Sequence, residues 1–175
     1  MAKLRKMLGR ADDPKILALM RMIETQNKTT LARWAMDCAR ERYLPIYEEC
    51  FPEDPRLGES LHAAASCLAG ELTLKDLKAH LKAAREFPKE AEGAPAAQAA
   101  ARAVITACAV LQTPTSALGF VFYGAAARAY HQAGLTACAA VYDALAEEEF
   151  AALADILTDR MVTDEPDPIQ VNWYC

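Results

Sequence analysis

The sequence has 175 residues, of which 53% are hydrophobic and 25% are charged, and its formal net charge is −5 at pH 7. These values are ordinary for one globular domain and exclude a strongly basic nucleic-acid-binding protein. Alanine is unusually frequent, glycine is scarce and β-branched residues form no alternating runs. The sequence therefore predicts an all-α, single-domain multi-helix bundle.

Local signals place the first helices. Asp12 or Asp13 can cap the first one, and the segment from Asn27 to Thr30 offers the next cap. Pro45 is expected to kink or end the second helix, because it removes a hydrogen bond and clashes with the preceding turn. Asp54-Pro55 then starts another helix.

The middle of the chain predicts an enclosed pair of helices. Thr73 and Asp76 form a capping box ahead of a further helix, and residues 88–95 are expected to be a polar surface linker. Residues 96–111 and 116–132 are apolar almost all round, which is typical of helices surrounded by neighbours.

The C-terminal part predicts two more helices and a tail. One helix starts near Leu135, and the cluster from Glu147 to Glu149 is expected to open the last. The count is seven or eight helices, and their short connections favour mostly antiparallel neighbours. The predicted division is an all-α domain over residues 1–163 and an extended tail over residues 164–175.

Charge is unevenly spread along the chain. From residue 143 onward nine carboxylates face a single arginine, Arg160, and three of them form a stripe opposite the apolar face of the last helix: Glu148, Asp155 and Asp159. A second, basic stripe is predicted on one helix face: Lys75, Lys78, Lys82, Arg85 and Lys89. Such stripes can be solvated surface or can bind an oppositely charged partner.

The sequence predicts no catalytic residues, no metal ligands and no cofactor. His62, His80 and His131 are scattered outside any known catalytic or zinc motif, and the six cysteines lack zinc-site spacing. Without a secretory signal, reduced thiols and a cytoplasmic location are expected. Residues 103–127 are uncharged, but a polar break divides them into runs too short to span a bilayer, so no membrane partner is expected.

Arg33 and Asp37 stand four residues apart, which predicts an ion pair on one helix face. The alternative is that they bind a partner. A third hypothesis is an enzyme with a buried centre at Asp37 or Cys38. The residues predicted to bind a partner are Arg33, Asp37, Glu148, Asp155 and Asp159.

Several segments together carry a family resemblance over more than half the chain. They are Leu31-Ala32-Arg33-Trp34-Ala35-Met36-Asp37-Cys38-Ala39, Leu44-Pro45-Ile46-Tyr47-Glu48, Pro52-Glu53-Asp54-Pro55-Arg56, Leu68-Ala69-Gly70-Glu71-Leu72 and the alanine-rich stretch ending in Ala117-Leu118-Gly119. With these segments the chain resembles the immunity-protein-five-like family of bacterial polymorphic toxin systems.

The resemblance implies an α-helical bacterial cytoplasmic protein that neutralises a cognate toxin by binding it, without catalysis. The acidic C-terminal third suits a basic, nuclease-like toxin. In the family, histidines are frequent in the helices that match those around Cys108 and Ser116, and this chain lacks them there, so the resemblance does not support carrying over a metal or catalytic site. The alternative is a helical scaffold that self-associates as a homo-oligomer, and nucleic acid is not an expected partner.

Overall fold

The computed structural model describes residues 3–173, and in this range all regular structure is helical. The elements are α1 (Pro14–Ile23), α2 (Lys28–Cys38), a π turn (Ala39–Tyr43), α3 (Leu44–Cys50), α4 (Arg56–Leu68), α5 (Leu74–Ala84), α6 (Phe87–Glu90), α7 (Pro95–Cys108), α8 (Ser116–Ala133) and α9 (Ala139–Arg160). The α2 helix, the π turn and α3 are continuous, and α6 is a single turn. The described chain therefore has seven longer helical rods, which confirms the predicted all-α bundle.

Local capping sets where several helices begin. The Asp13 carboxylate accepts a hydrogen bond from the Lys15 N–H at 2.8 Å, and the Asn27 side chain accepts one from the Thr30 N–H at 2.9 Å. The Thr73 hydroxyl accepts one from the Asp76 N–H at 3.1 Å. Each cap satisfies an N–H that has no partner within the helix, and each confirms a predicted helix start.

The core is built around α7 and α8, which pack against each other and are covered by the other helices. Alanine dominates their buried residues, and its small side chain lets the two backbones approach closely. Above this pair, Trp34 of α2 packs edge-on against Phe120 of α8, with ring centroids 4.9 Å apart. The predicted enclosed central pair is confirmed.

Pro45 does not end its helix. The chain passes through the π turn directly before it, where the Leu44 N–H bonds to the Ala39 carbonyl, five residues back. The wider turn provides a local change of geometry next to a residue that has no N–H and would clash with a regular preceding turn. Of the two predicted outcomes, termination is therefore wrong.

Three further expectations need correction. The cluster from Glu147 to Glu149 lies in the middle of α9 and does not open a helix, since apolar residues continue at helical spacing on both sides. Residues 88–95 are not a plain surface linker, because Pro88 and Ala91 are buried and α6, which contains Pro88, packs on α7. The basic stripe does not lie on one helix. Lys75, Lys78 and Lys82 belong to α5, which ends at Ala84, whereas Arg85 and Lys89 lie beyond its end.

The segments before α1 and after α9 pack on the helical body. The Leu8 N–H donates to the Phe122 carbonyl at 3.2 Å, and Leu8 is fully buried. The buried Gln26 side chain donates to the Val162 carbonyl at 3.1 Å and accepts from its N–H at 2.8 Å. The end of the predicted tail, including Cys175, lies outside the described residues. No helix within residues 3–173 is long and apolar enough to cross a membrane.

Candidate functional site

The outer face of α9 presents an acidic stripe formed by Glu148, Asp155 and Asp159. All three side chains are exposed, and none forms an ion pair within residues 3–173. Phe150 and Leu153 lie on the buried face of the same helix, as predicted. The first and last carboxylates are eleven positions apart, so the stripe extends over about 16 Å of helix.

The remaining carboxylates in the first half of α9 have partners inside the protein. Asp143 contacts Arg5 at 2.5 Å, and Glu147 contacts Lys15 at 3.3 Å. Both pairs join α9 to segments near the start of the chain and are exposed, so each stabilises the fold only weakly. The stripe thus differs from its neighbours in carrying uncompensated charge.

Asp37 and Arg33 do not pair. The Asp37 carboxylate accepts hydrogen bonds from Arg160 at 2.5 Å and from Arg40 at 3.3 Å, and Arg33 is exposed without a partner in the described chain. The prediction of an Arg33–Asp37 pair is therefore wrong, because the end of α9 supplies a closer cation. Arg160 lies in the last turn of α9 and directly follows Asp159 in the sequence. Its ion pair therefore places Asp37 beside this turn.

Beneath this face lies a buried ionic cluster centred on Glu149, whose side chain is only 3% exposed. Arg42 donates two hydrogen bonds to its carboxylate, at 2.8 and 2.6 Å, and the Tyr43 hydroxyl donates a third at 2.7 Å. Arg128 of α8 lies 3.6 Å away. The cluster therefore joins the π turn, α8 and α9 at one point.

The ionic cluster raises the pKa of two of its members, Arg42 and Tyr43. Its hydrogen bonds with Glu149 raise the pKa of Arg42, so this guanidinium stays charged. Burial, reinforced by the nearby carboxylate, raises the pKa of Tyr43 well above its usual range. The Tyr43 hydroxyl therefore stays neutral and donates to the Glu149 carboxylate, which Arg42 also binds in a bidentate manner. Charge-assisted hydrogen bonds of this kind are strong, and they fix the geometry of the groups they join.

Sequence reasoning missed Glu149 because it stands in a run of three glutamates that resembles a solvated surface. A signal was nevertheless present. The spacing of the neighbouring apolar residues places Glu149 on the buried face of α9. The residues of this face follow at intervals of three, one, three and four: Ala146, Glu149, Phe150, Leu153 and Leu157. A charged residue at such a position requires a buried partner.

The hypothesis of a catalytic centre at Asp37 or Cys38 gains no support from the geometry. Burial raises the pKa of the Cys38 thiol to about 12, so it is protonated at neutral pH and a poor nucleophile. Burial also raises the pKa of Cys108 to about 12. Asp37 is held by two arginines on the surface.

The one serine–histidine contact of the described chain is between Ser60 and His80, at 3.0 Å. The Ser60 hydroxyl donates to the Arg56 carbonyl within α4, and no carboxylate orients the ring of His80 within residues 3–173. This arrangement lacks the third group of a nucleophilic triad. No group of three or more potential metal ligands occurs in the same range.

The Imm-5 like putative immunity protein family matches the chain over residues 21–155, which is more than half of its length. The chain belongs to this family. The matched region begins in α1, contains the whole Glu149 cluster and includes two residues of the acidic stripe, Glu148 and Asp155. Comparison with curated proteins and with solved structures finds no match. The family resemblance predicted from the sequence is confirmed.

Proposed function

We propose that this protein neutralises a cognate bacterial toxin by binding it, without catalysis, through the acidic stripe of α9 and the α2 residues Arg33 and Asp37. Membership of an immunity protein family gives the class of function. The observation that carries the choice of surface is the exposed, unpaired charge of Glu148, Asp155 and Asp159.

The rigidity of α9 supports this proposal. The buried Trp34 ring donates a hydrogen bond to the Leu153 carbonyl at 3.1 Å, and the Glu149 cluster holds the helix one residue from Glu148. Arg160 ties the last turn of α9 to Asp37. A surface fixed before binding loses little conformational entropy when a partner docks, so more of the contact energy appears as affinity.

The charge of the stripe favours a basic partner. Three carboxylates along about 16 Å attract cationic side chains before contact and accelerate association. A toxin that acts on nucleic acid presents a basic surface, because it must bind phosphates. Arg33, which is exposed on α2 without a partner within residues 3–173, would contribute a further hydrogen-bond donor.

The test is co-expression with the toxin encoded by the neighbouring gene. We expect the protein to protect cells, and we expect the triple variant Glu148→Lys, Asp155→Lys and Asp159→Lys to protect them much less. The matched control reverses three other exposed, unpaired carboxylates around α4: Glu53→Lys, Glu59→Lys and Glu71→Lys.

Both triple variants change the net charge equally, so a difference between them reports the position of the charge. Equal survival of cells with and without the protein would refute toxin neutralisation. Full protection by the α9 variant would refute the choice of surface alone. Light scattering after size-exclusion chromatography tests the scaffold alternative, which requires a stable assembly of several copies.

A further inference from the structure

A basic cleft lies away from the acidic stripe, between α7, α8 and the chain around α6. Its cavity has a volume of about 390 Å³. Four of the lining residues are cationic, Lys6, Arg85, Lys89 and Arg102, and no carboxylate of residues 3–173 lines the cleft. In a chain with a net charge of −5, a cleft whose charged lining residues are all positive is unexpected.

Little in the described part of the chain compensates these positive charges. Lys89 contacts Glu86 at 2.6 Å, but both side chains are largely exposed and the pair is weak. Lys6, Arg85 and Arg102 form no ion pair within residues 3–173. Like charges converging on one cavity repel one another, and a bound anion would relieve this repulsion.

The cleft also offers neutral hydrogen-bond donors. Thr106, Ser116 and Tyr123 line it, and their hydroxyls have no hydrogen-bond partner in the part of the chain that the structure describes. The backbone N–H of Ser116 already donates to the Thr113 carbonyl. An anion at this place would therefore be bound mainly by side chains, and Ser116 lies at the positive end of the α8 dipole.

The position of Lys6 is set by the chain on either side of it. The Tyr130 hydroxyl donates to the Arg5 carbonyl at 2.6 Å, and Leu8 is buried against α8. A second cavity of about 260 Å³ shares Lys6 and Arg102 with the first and also lacks carboxylates. The basic surface thus continues beyond the cleft along the start of α7.

We propose that this cleft binds the phosphate groups of an organic phosphate about the size of a nucleotide. Guanidinium groups and hydroxyls are well-suited donors to phosphate oxygens. A volume of about 390 Å³ lies in the range of small-ligand pockets. Ile105, Ala109 and the ring of Tyr123 give the apolar surface against which the organic part packs. This site is independent of the proposed toxin-binding face.

Isothermal titration calorimetry of the full chain at about 150 mM salt tests the proposal, with ATP, pyrophosphate and adenosine as probes. We expect saturable binding of one ATP per chain, weaker binding of pyrophosphate and no binding of adenosine. Arg102→Gln should weaken ATP binding about tenfold or more, because it removes a charge-assisted contact. Arg85→Gln is a second variant, at an exposed position, that should fold normally and also weaken binding.

Arg21→Gln is the matched control, since Arg21 is exposed on α1, does not line the cleft and loses the same charge. Its ATP affinity should change less than about twofold. Absence of saturable ATP binding would overturn the proposal, and so would equal weakening by Arg21→Gln and Arg85→Gln. A single-stranded oligonucleotide that displaces ATP and requires Arg102 would reassign the cleft to nucleic acid.

Discussion

The contact between Gly124 and Tyr43 gives the most direct test of the packing around the Glu149 cluster. A Cβ atom added at Gly124 would lie 2.2 Å from Cζ and 2.3 Å from the hydroxyl oxygen of Tyr43. The Tyr43 ring is fully buried and its hydroxyl donates to Glu149. The ring therefore cannot move aside without breaking that hydrogen bond.

Gly124→Ala should lower the free energy of unfolding by about 2–4 kcal/mol. Overpacking a core costs about 1–3 kcal/mol, and depriving a buried carboxylate of one donor costs a similar amount. The higher helix propensity of alanine offsets about 1 kcal/mol of this loss. For a protein of this length the corresponding fall in Tm is about 5–15 °C.

Thermal and urea unfolding followed by circular dichroism measure this change. Gly58→Ala is the matched control, because Gly58 is also inside a helix but has open space around its added Cβ. It should leave the Tm unchanged or raise it by about 2–4 °C. If Gly124→Ala proved as stable as Gly58→Ala, Tyr43 would not be fixed in place.

Three further predictions follow from burial and charge. In urea unfolding, Glu149→Ala should destabilise the protein by about 3 kcal/mol, because it leaves the Arg42 charge without its buried partner. The exposed neighbour variant Glu148→Ala should change stability by less than about 0.5 kcal/mol. Equal effects would contradict the buried cluster. Iodoacetamide at neutral pH should label the exposed Cys50 and leave Cys38 unmodified until the protein unfolds, as read by mass spectrometry; rapid labelling of Cys38 in the folded state would contradict its raised pKa. The Arg56 guanidinium holds the pKa of Asp54 well below its usual range, so this carboxylate stabilises the fold fully above its unfolded pKa of about 3.9 and progressively less as the pH falls below that value. Asp54→Asn should therefore flatten the loss of stability in acid, and an unchanged slope would contradict this assignment.

Features that depend on a few neighbouring residues were predictable from the sequence. The caps at Asp13, Asn27 and Thr73 each involve residues no more than three positions apart, and the structure confirms all three. The apolar spacing of α9 likewise predicted which face the acidic stripe occupies. Local chemistry and periodicity are visible in one dimension, so they transfer directly to the helices.

Features that depend on distant residues could not be predicted. Glu149 and Arg42 are 107 positions apart, and Gln26 and Val162 are 136 apart. Asp37 pairs with Arg160 instead of the nearer Arg33 for the same reason. Sequence spacing identifies which cations on the same helix could pair with a carboxylate. The packing of the other helices decides whether a cation from elsewhere in the chain lies closer in space.

The π turn before Pro45 has a consequence for the length of this helical rod. An α-helix turns by about 100° per residue, so deleting one residue from the rod while the π turn is kept would rotate everything after the deletion by about that angle. Ile46 would then leave the core for the exposed place of Pro45, and the exposed Glu48 would enter the core at the place of Tyr47. Sequences that share this packing should therefore conserve the number of residues between Trp34 and Tyr47 more strictly than their identities.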